Sequence, residues 1–226
     1  MLIDLMLLNI LLMLLSWAIV TCNHRAGLVD VTWSFGIALN VLLASVLLDQ
    51  APLMVRLFLA IASGLWFLRL TWHLLRRYLN EEQEDTRYAN MRRAMGKYQH
   101  VGFLAFFMFQ AGLISLFSYP MVELLDTPAE LWNSWTPTLM IVAGVIMLVA
   151  FIGETVADQQ LYHFKQQLLN QGKTMDQGLW KYSRHPNYFF EWLHWFAYPI
   201  IGMAAGATAL WLYPILMFVF LYYITG

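Results

Sequence analysis

Charge is scarce in this chain. Only 12% of its 226 residues are Asp, Glu, Lys or Arg, where a soluble domain carries about 25%. With 60% hydrophobic residues and a mean hydropathy of +0.57, that shortage excludes a soluble globular protein and implies an integral membrane one. Cysteine is almost absent: Cys22 stands alone, so no internal disulfide can form. There is no basic excess either. The net charge is −1, and with no basic tail nothing points to nucleic acid as a partner. Neither GxGxxG nor GxxxxGK[ST] occurs, which excludes a Rossmann or P-loop nucleotide site. The six histidines are scattered. Glu191 and His194 in "EWLH" have the i, i+3 spacing of a di-iron helix, but a second such motif and further carboxylates are missing, so no metal centre is expected.

Long apolar runs are what the chain has instead. A crossing helix needs about 20 mostly apolar residues. Seven such segments fall at roughly 2–22, 29–49, 53–74, 101–122, 136–157, 188–206 and 208–225, with "GMAAGA" as a very short turn between the last two. The start, "MLIDLMLLNI", has an acid and no base, so it reads as a retained first helix rather than a signal peptide. The expected fold is all-α and polytopic, a single membrane domain over 1–226. Within it, 1–100 hold the N-terminal helices and a loop, and 101–226 a C-terminal half with the cofactor site.

Basic residues set the orientation. Arg76, Arg77, Arg87, Arg92, Arg93 and Lys97 lie between the third and fourth segments, and Lys165, Lys173, Lys181 and Arg184 between the fifth and sixth. "ELLDTPAELWNSW" has acids and no base. The positive-inside rule therefore places the N-terminus outside and the C-terminus in the cytoplasm, with cytoplasmic segments 75–100 and 158–187.

Ionisable groups in a bilayer are costly and read as functional. Three helix ends carry them at helical spacing: Arg69, His73 and Arg76/Arg77 in the third; Glu154, Asp158, Tyr162 and Lys165 in the fifth; Asn187, Glu191, His194 and Tyr198 in the sixth. Pro186 pushes His185 toward an extended backbone and suits a first helical turn. The helix end beside Lys181 and Arg184 is then an anion site suited to phosphate, or else those cations only anchor the helix at lipid headgroups. Asp30 either caps the second helix or lines a cavity. "NEEQEDTRYANMRRAMG" reads as an ion-paired surface, or as arginines (Arg87, Arg92, Arg93) that reach a nucleotide.

"ETVADQQLYHFK" and "GLWKYSRHPNYFFE", with "DVTW" and "RLTWHLLRR" upstream, closely resemble the steroid 5α-reductase-like superfamily, nearest to its poorly characterised bacterial branch. The resemblance runs through the whole chain and is most specific over 154–191. It implies a seven-helix membrane enzyme that binds NADPH from the cytoplasmic side and reduces a carbon–carbon double bond conjugated to a ketone. By that resemblance, Glu154 falls where the family often has a cofactor-contacting asparagine. Asp158 matches the acid four residues on, and Lys165 replaces a nearby basic residue. Tyr182, Asn187 and Glu191 match the pattern around the cofactor, and Arg69 matches an arginine near the end of the third helix. Trp66 falls at a tyrosine that binds the steroid ketone in animal enzymes, and that tyrosine's glutamate partner has no clear equivalent. Relatives continue past "LYYITG" into a basic tail with further cofactor contacts, so a shortened chain with weaker cofactor binding is expected.

Together these readings put Lys181, Arg184 and the helix end on the pyrophosphate, with His185 also among the cofactor-binding residues, and Arg76, Arg77 or Lys165 on the 2′-phosphate. Asn187 and Tyr182 bond the ribose or carboxamide. The oxygen of the enone, where charge develops, needs a donor: Glu191 or Glu154 held neutral by burial, or else His194 or Arg69. The substrate is apolar and arrives from the bilayer, whose lipids are the other partner. A bacterial inner membrane is expected, or the endoplasmic reticulum in a eukaryote. Two alternatives remain: an isoprenylcysteine-type methyltransferase using S-adenosylmethionine, which shares the "RHPxY" run, and a non-enzymatic lipid- or sterol-binding protein.

Overall fold

The computed structural model describes residues 1–80, 83–170 and 172–225; Glu81 and Glu82 of the charged cluster and the terminal Gly226 lie outside them. Nine α-helices occur among the described residues: α1 (Leu2–Asn23), α2 (Leu28–Leu47), α3 (Leu53–Asn80), α4 (Thr86–Met95), α5 (Gln99–Asp126), α6 (Thr136–Gln166), α7 (Pro186–His194), α8 (Ala197–Gly202) and α9 (Leu212–Phe220). In hydrocarbon every backbone N–H and C=O must be satisfied within the chain, and Leu-, Met- and Ala-rich runs achieve this as helices. Among the described residues, five helical segments are long and apolar enough to cross a membrane: α1, α2, α3, the run Thr86–Asp126 and α6. The chain is therefore an integral membrane protein.

These five match the first five expected segments; the last two are built differently. In place of one helix over 188–206, α7 ends at His194 and α8 begins at Ala197. Pro199 is the reason: it lacks an N–H and its ring crowds the carbonyl four residues back, that of Trp195. The 208–225 segment is a 3₁₀ turn (Thr208–Trp211), α9 and a π-helical end (Leu221–Thr225). The expected short turn between them is present. Gly206 adopts φ +71°, a left-handed conformation in which a side chain is strained.

The chain divides into two compact units, Met1–Asp126 and Thr127–Gly226. In the first, α2 packs on α3 and α5, and α1 on α5 and α2. Small polar side chains tie these helices together: Asn9 to Ser115 (3.0 Å), Ser16 to Thr32 (2.8 Å), Asn40 to Ser118 (2.9 Å) and Thr71 to Ser34 (3.1 Å). Each such bond contributes about 0.6 kcal/mol in a bilayer. Arg56 donates from Nε and Nη2 to the Ser45 carbonyl, satisfying an orphan acceptor in the last turn of α2.

The α3–α4 corner resolves two open readings. Asp30 is not an N-cap: α2 has Gly27 there with no side-chain cap. Asp30 instead accepts from Tyr88 Oη (2.6 Å) and Arg87 Nη2 (3.2 Å). Arg92 is held by Glu84 at 2.7 and 3.0 Å and donates to Gln99 (3.0 Å) and the His24 carbonyl (3.2 Å). Among the described residues of this cluster, Arg87 and Arg92 are thus ion-paired within the fold, while Arg93 is exposed and bonds Asn90. Asp85 caps α4, accepting the Arg87 N–H (2.9 Å), and pairs with Arg77 and Arg87. Burial alone raises its carboxyl pKa, but the side-chain and backbone hydrogen bonds of Arg87, with the charges of Arg87 and Arg77, outweigh burial and hold it below the usual carboxylate value. A depressed folded-state value stabilises at pH above the unfolded value, near 4, and that contribution is lost as pH falls through the lower folded value. Hydrogen-exchange protection over residues 85–90 is expected to fall on acidification below about pH 4. In Asp85→Asn, which keeps a capping oxygen for the Arg87 N–H but loses the ion pairs with Arg77 and Arg87, it is expected to start somewhat lower at pH 7 and to change little with acid.

Candidate active site

The second unit is built on α6, which packs against α7 and α8. With 31 residues, α6 is about 46 Å long, more than the roughly 30 Å of bilayer hydrocarbon. Its last turns therefore carry polar residues beyond the apolar run. Gly153 lets α7 approach closely: a Cβ there meets the Phe190 ring at 2.3 Å. The neighbouring turns of α6 and α7 then bring four ionisable side chains into a buried cluster. Glu154 is 4% exposed, Asp158 9%, Glu191 8% and His194 0%.

Within this cluster Asn187 Nδ2 donates to Asp158 Oδ1 at 3.4 Å, linking α7 to α6. The buried Oδ1 of Asn187 is left with no hydrogen-bond partner. Glu191 Oε1 accepts from Trp195 Nε1 at 3.1 Å and lies 3.7 Å from His194 Nδ1. That Nδ1 is 2.6 Å from the Glu191 carbonyl oxygen. A carbonyl only accepts, so Nδ1 carries the hydrogen and, in the neutral ring, Nε2 is an acceptor.

Exposed groups stand next to this cluster in the chain. Lys181, Tyr182, Arg184 and His185 are all exposed and lead directly into α7. His185 has φ −141°, extended as Pro186 at the next position demands. The first turn of α7 has no side-chain cap, and the His185 ring stacks on Tyr188 with centroids 4.9 Å apart. On α6 the polar stripe runs from buried Glu154 and Asp158 to exposed Tyr162 and Lys165. The remaining candidates lie in the first unit, on α3. Arg69 is half-buried, Arg76 and Arg77 are exposed, and Arg77 pairs with Asp85. Trp66 is buried there. Among the described residues, no group of three or more His, Cys, Asp or Glu side chains is placed to hold a metal ion.

Three positioning residues escaped the sequence reading: Gly153, Gln160 and Trp180. Leu179 N–H donates to Gln160 Oε1 at 2.9 Å, and Trp180 Nε1 donates to the Ala157 carbonyl at 3.0 Å. Only "GLW" hinted at this, a glycine with an aromatic two residues on.

The profile of a family described as "Protein of unknown function (DUF1295)" matches residues 16–226. An uncharacterized protein of Schizosaccharomyces pombe is 27% identical over 176 residues, 68% of this chain and 50% of that protein. The chain thus spans half the length of this curated relative. No solved structure matches.

Proposed function

We propose that this chain, which belongs to the DUF1295 family, is a membrane-embedded NADPH-dependent reductase of a conjugated carbon–carbon double bond in an apolar enone. The observation that carries the reading lies within the second unit: an exposed run of Lys181, Arg184 and His185 leads through half-buried Asn187 into α7, which with α6 carries the buried Glu154, Asp158, Glu191 and His194. The motif resemblance to the 5α-reductase-like superfamily points the same way. We place the basic segments on the cytoplasmic side, in a bacterial inner membrane, with the broken helices over 186–205 and 208–225 as the sixth and seventh crossings.

The residues present fit a dinucleotide. Lys181, Arg184 and the uncapped first turn of α7 take the phosphates, as cations and backbone N–H groups do. The unpartnered Asn187 Oδ1 accepts from the carboxamide or a ribose hydroxyl, while Asp158 holds the amide in place. When bound, the cofactor supplies a hydride to the β-carbon of the enone. The π electrons move onto the carbonyl oxygen, which needs a hydrogen-bond donor. His194 is turned the wrong way in its neutral form, since Nδ1–H faces the Glu191 carbonyl. Glu191 has one oxygen committed to Trp195. A buried carboxylic acid, Glu154 or Glu191, is assigned to the enone oxygen, with Arg69 as a further donor. A proton from water completes the α-carbon.

The test uses NADPH carrying deuterium at the transferred position, with steroid and non-steroid enones in detergent. Deuterium on the β-carbon of one product supports the reading. Failure to transfer it to any enone, with methyl transfer from S-adenosylmethionine instead, overturns it.

A further inference from the structure

The cations Lys181 and Arg184 sit on a connection that runs from the end of α6 at Gln166 to the start of α7 at Pro186. A connection of that length, more than about 15 residues with no long element of its own, needs an anchor if its charges are to stand at one place. Two hydrogen bonds to α6 supply it. The turn at Gly178–Lys181 is fastened to α6 twice, by Leu179 N–H on Gln160 Oε1 at 2.9 Å and by Trp180 Nε1 on the Ala157 carbonyl at 3.0 Å. Ala157 and Gln160 flank Asp158, so both anchors share the turn of α6 that carries the carboxylate bonded to Asn187.

Gly178 shows how close the docking is. Its φ is +57°, and a Cβ there comes to 2.5 Å from Gln160 Oε1 and 2.6 Å from its Cδ and Nε2. Only glycine combines that backbone conformation with that approach. The next residues are Lys181, Tyr182, Ser183, Arg184 and His185, and Ser183 Oγ accepts the His185 N–H at 3.2 Å. The two anchors at Leu179 and Trp180 thus stand directly before the cationic run.

We infer that Gln160 is a positioning residue: it holds the Gly178–Lys181 turn against α6 and thereby sets where Lys181 and Arg184 stand for an anionic ligand. The inference rests on the reductase reading for the identity of that ligand, NADPH, but not for the anchor itself. A positioning residue of this kind acts on affinity and leaves the bound arrangement unchanged once the site is full.

Gln160→Ala, Gln160→Glu and Gly178→Ala test it. Glu keeps an acceptor oxygen for Leu179 N–H; Ala removes it. The first readout needs no ligand: the rate of trypsin cleavage after Lys181 and Arg184, referred to cleavage after Lys173. The second is NADPH titration by energy transfer from tryptophan. Gln160→Ala and Gly178→Ala are expected to speed the two cleavages severalfold. They should weaken NADPH binding about three- to tenfold, the equivalent of one hydrogen bond, with the same energy transfer at saturation. Gln160→Glu is expected to restore both. Wild-type cleavage in Gln160→Ala overturns the inference, as does a Gln160→Glu variant no better than Gln160→Ala. If the unmodified protein binds no NADPH, the reductase reading fails, and the anchor is judged on cleavage alone.

Discussion

Gly153→Val is expected to cost the second unit its α6–α7 contact and with it the whole candidate site. The Phe190 ring lies 2.3 Å from the point where the new Cβ must sit, and three ring atoms lie within 2.5 Å. Phe190 is half-buried, and swinging it away moves α7, which carries Asn187, Glu191 and His194. Overpacking of this kind costs about 1–3 kcal/mol, or roughly 2–10 °C in Tm for a chain of this size. Gly112 in α5 is the control, because a Cβ there meets nothing within 4 Å. Gly112→Ala is expected to be neutral or to gain up to about 1 kcal/mol of helix propensity. Thermal melts in detergent that rank the two variants alike would contradict the packing at Gly153.

Reading helices from this sequence worked where the signal was length and apolarity. α1, α2, α3, α5 and α6 all lie where runs of about 20 apolar residues predict them, and α3 and α6 simply continue past the apolar stretch to Asn80 and Gln166. The break within 188–206 was not legible, because hydropathy is blind to backbone chemistry. Trp195 and Pro199 are both apolar enough for a span, yet Pro199 breaks the helix at Trp195. Polar residues inside helices were legible only where ionisable groups set the pattern. The Glu154/Asp158 and Asn187/Glu191/His194 stripes stood out by spacing, while Asn9, Ser16, Asn40 and Ser118, which tie the first unit, carry no charge and gave no pattern. Asp30 was ambiguous because its partners, Tyr88 and Arg87, lie more than 55 residues away in the chain. Gln160 and Gly178 were invisible for the same reason: their meeting is a property of the loop's path.

The second large effect is electrostatic. Reversing both cations, in Lys181→Glu/Arg184→Glu, is expected to weaken NADPH binding by about a hundredfold or more, since each charged hydrogen bond is worth about 1.5–3 kcal/mol. Both side chains are exposed, so the fold and the melting temperature are expected to stay close to those of the unmodified protein. The same double variant separates the reductase from its rival. S-adenosylmethionine carries a sulfonium cation, an ammonium and a single carboxylate in place of the phosphates, so its binding is expected to fall far less than that of NADPH.

Titration of the detergent-purified protein with NADPH, followed by energy transfer from tryptophan to the nicotinamide, tests the central claim most directly, with the double variant and S-adenosylmethionine run beside it. The account predicts saturable NADPH binding that the double variant loses. Saturable S-adenosylmethionine binding with none for NADPH, or NADPH binding that ignores Lys181 and Arg184, would contradict it.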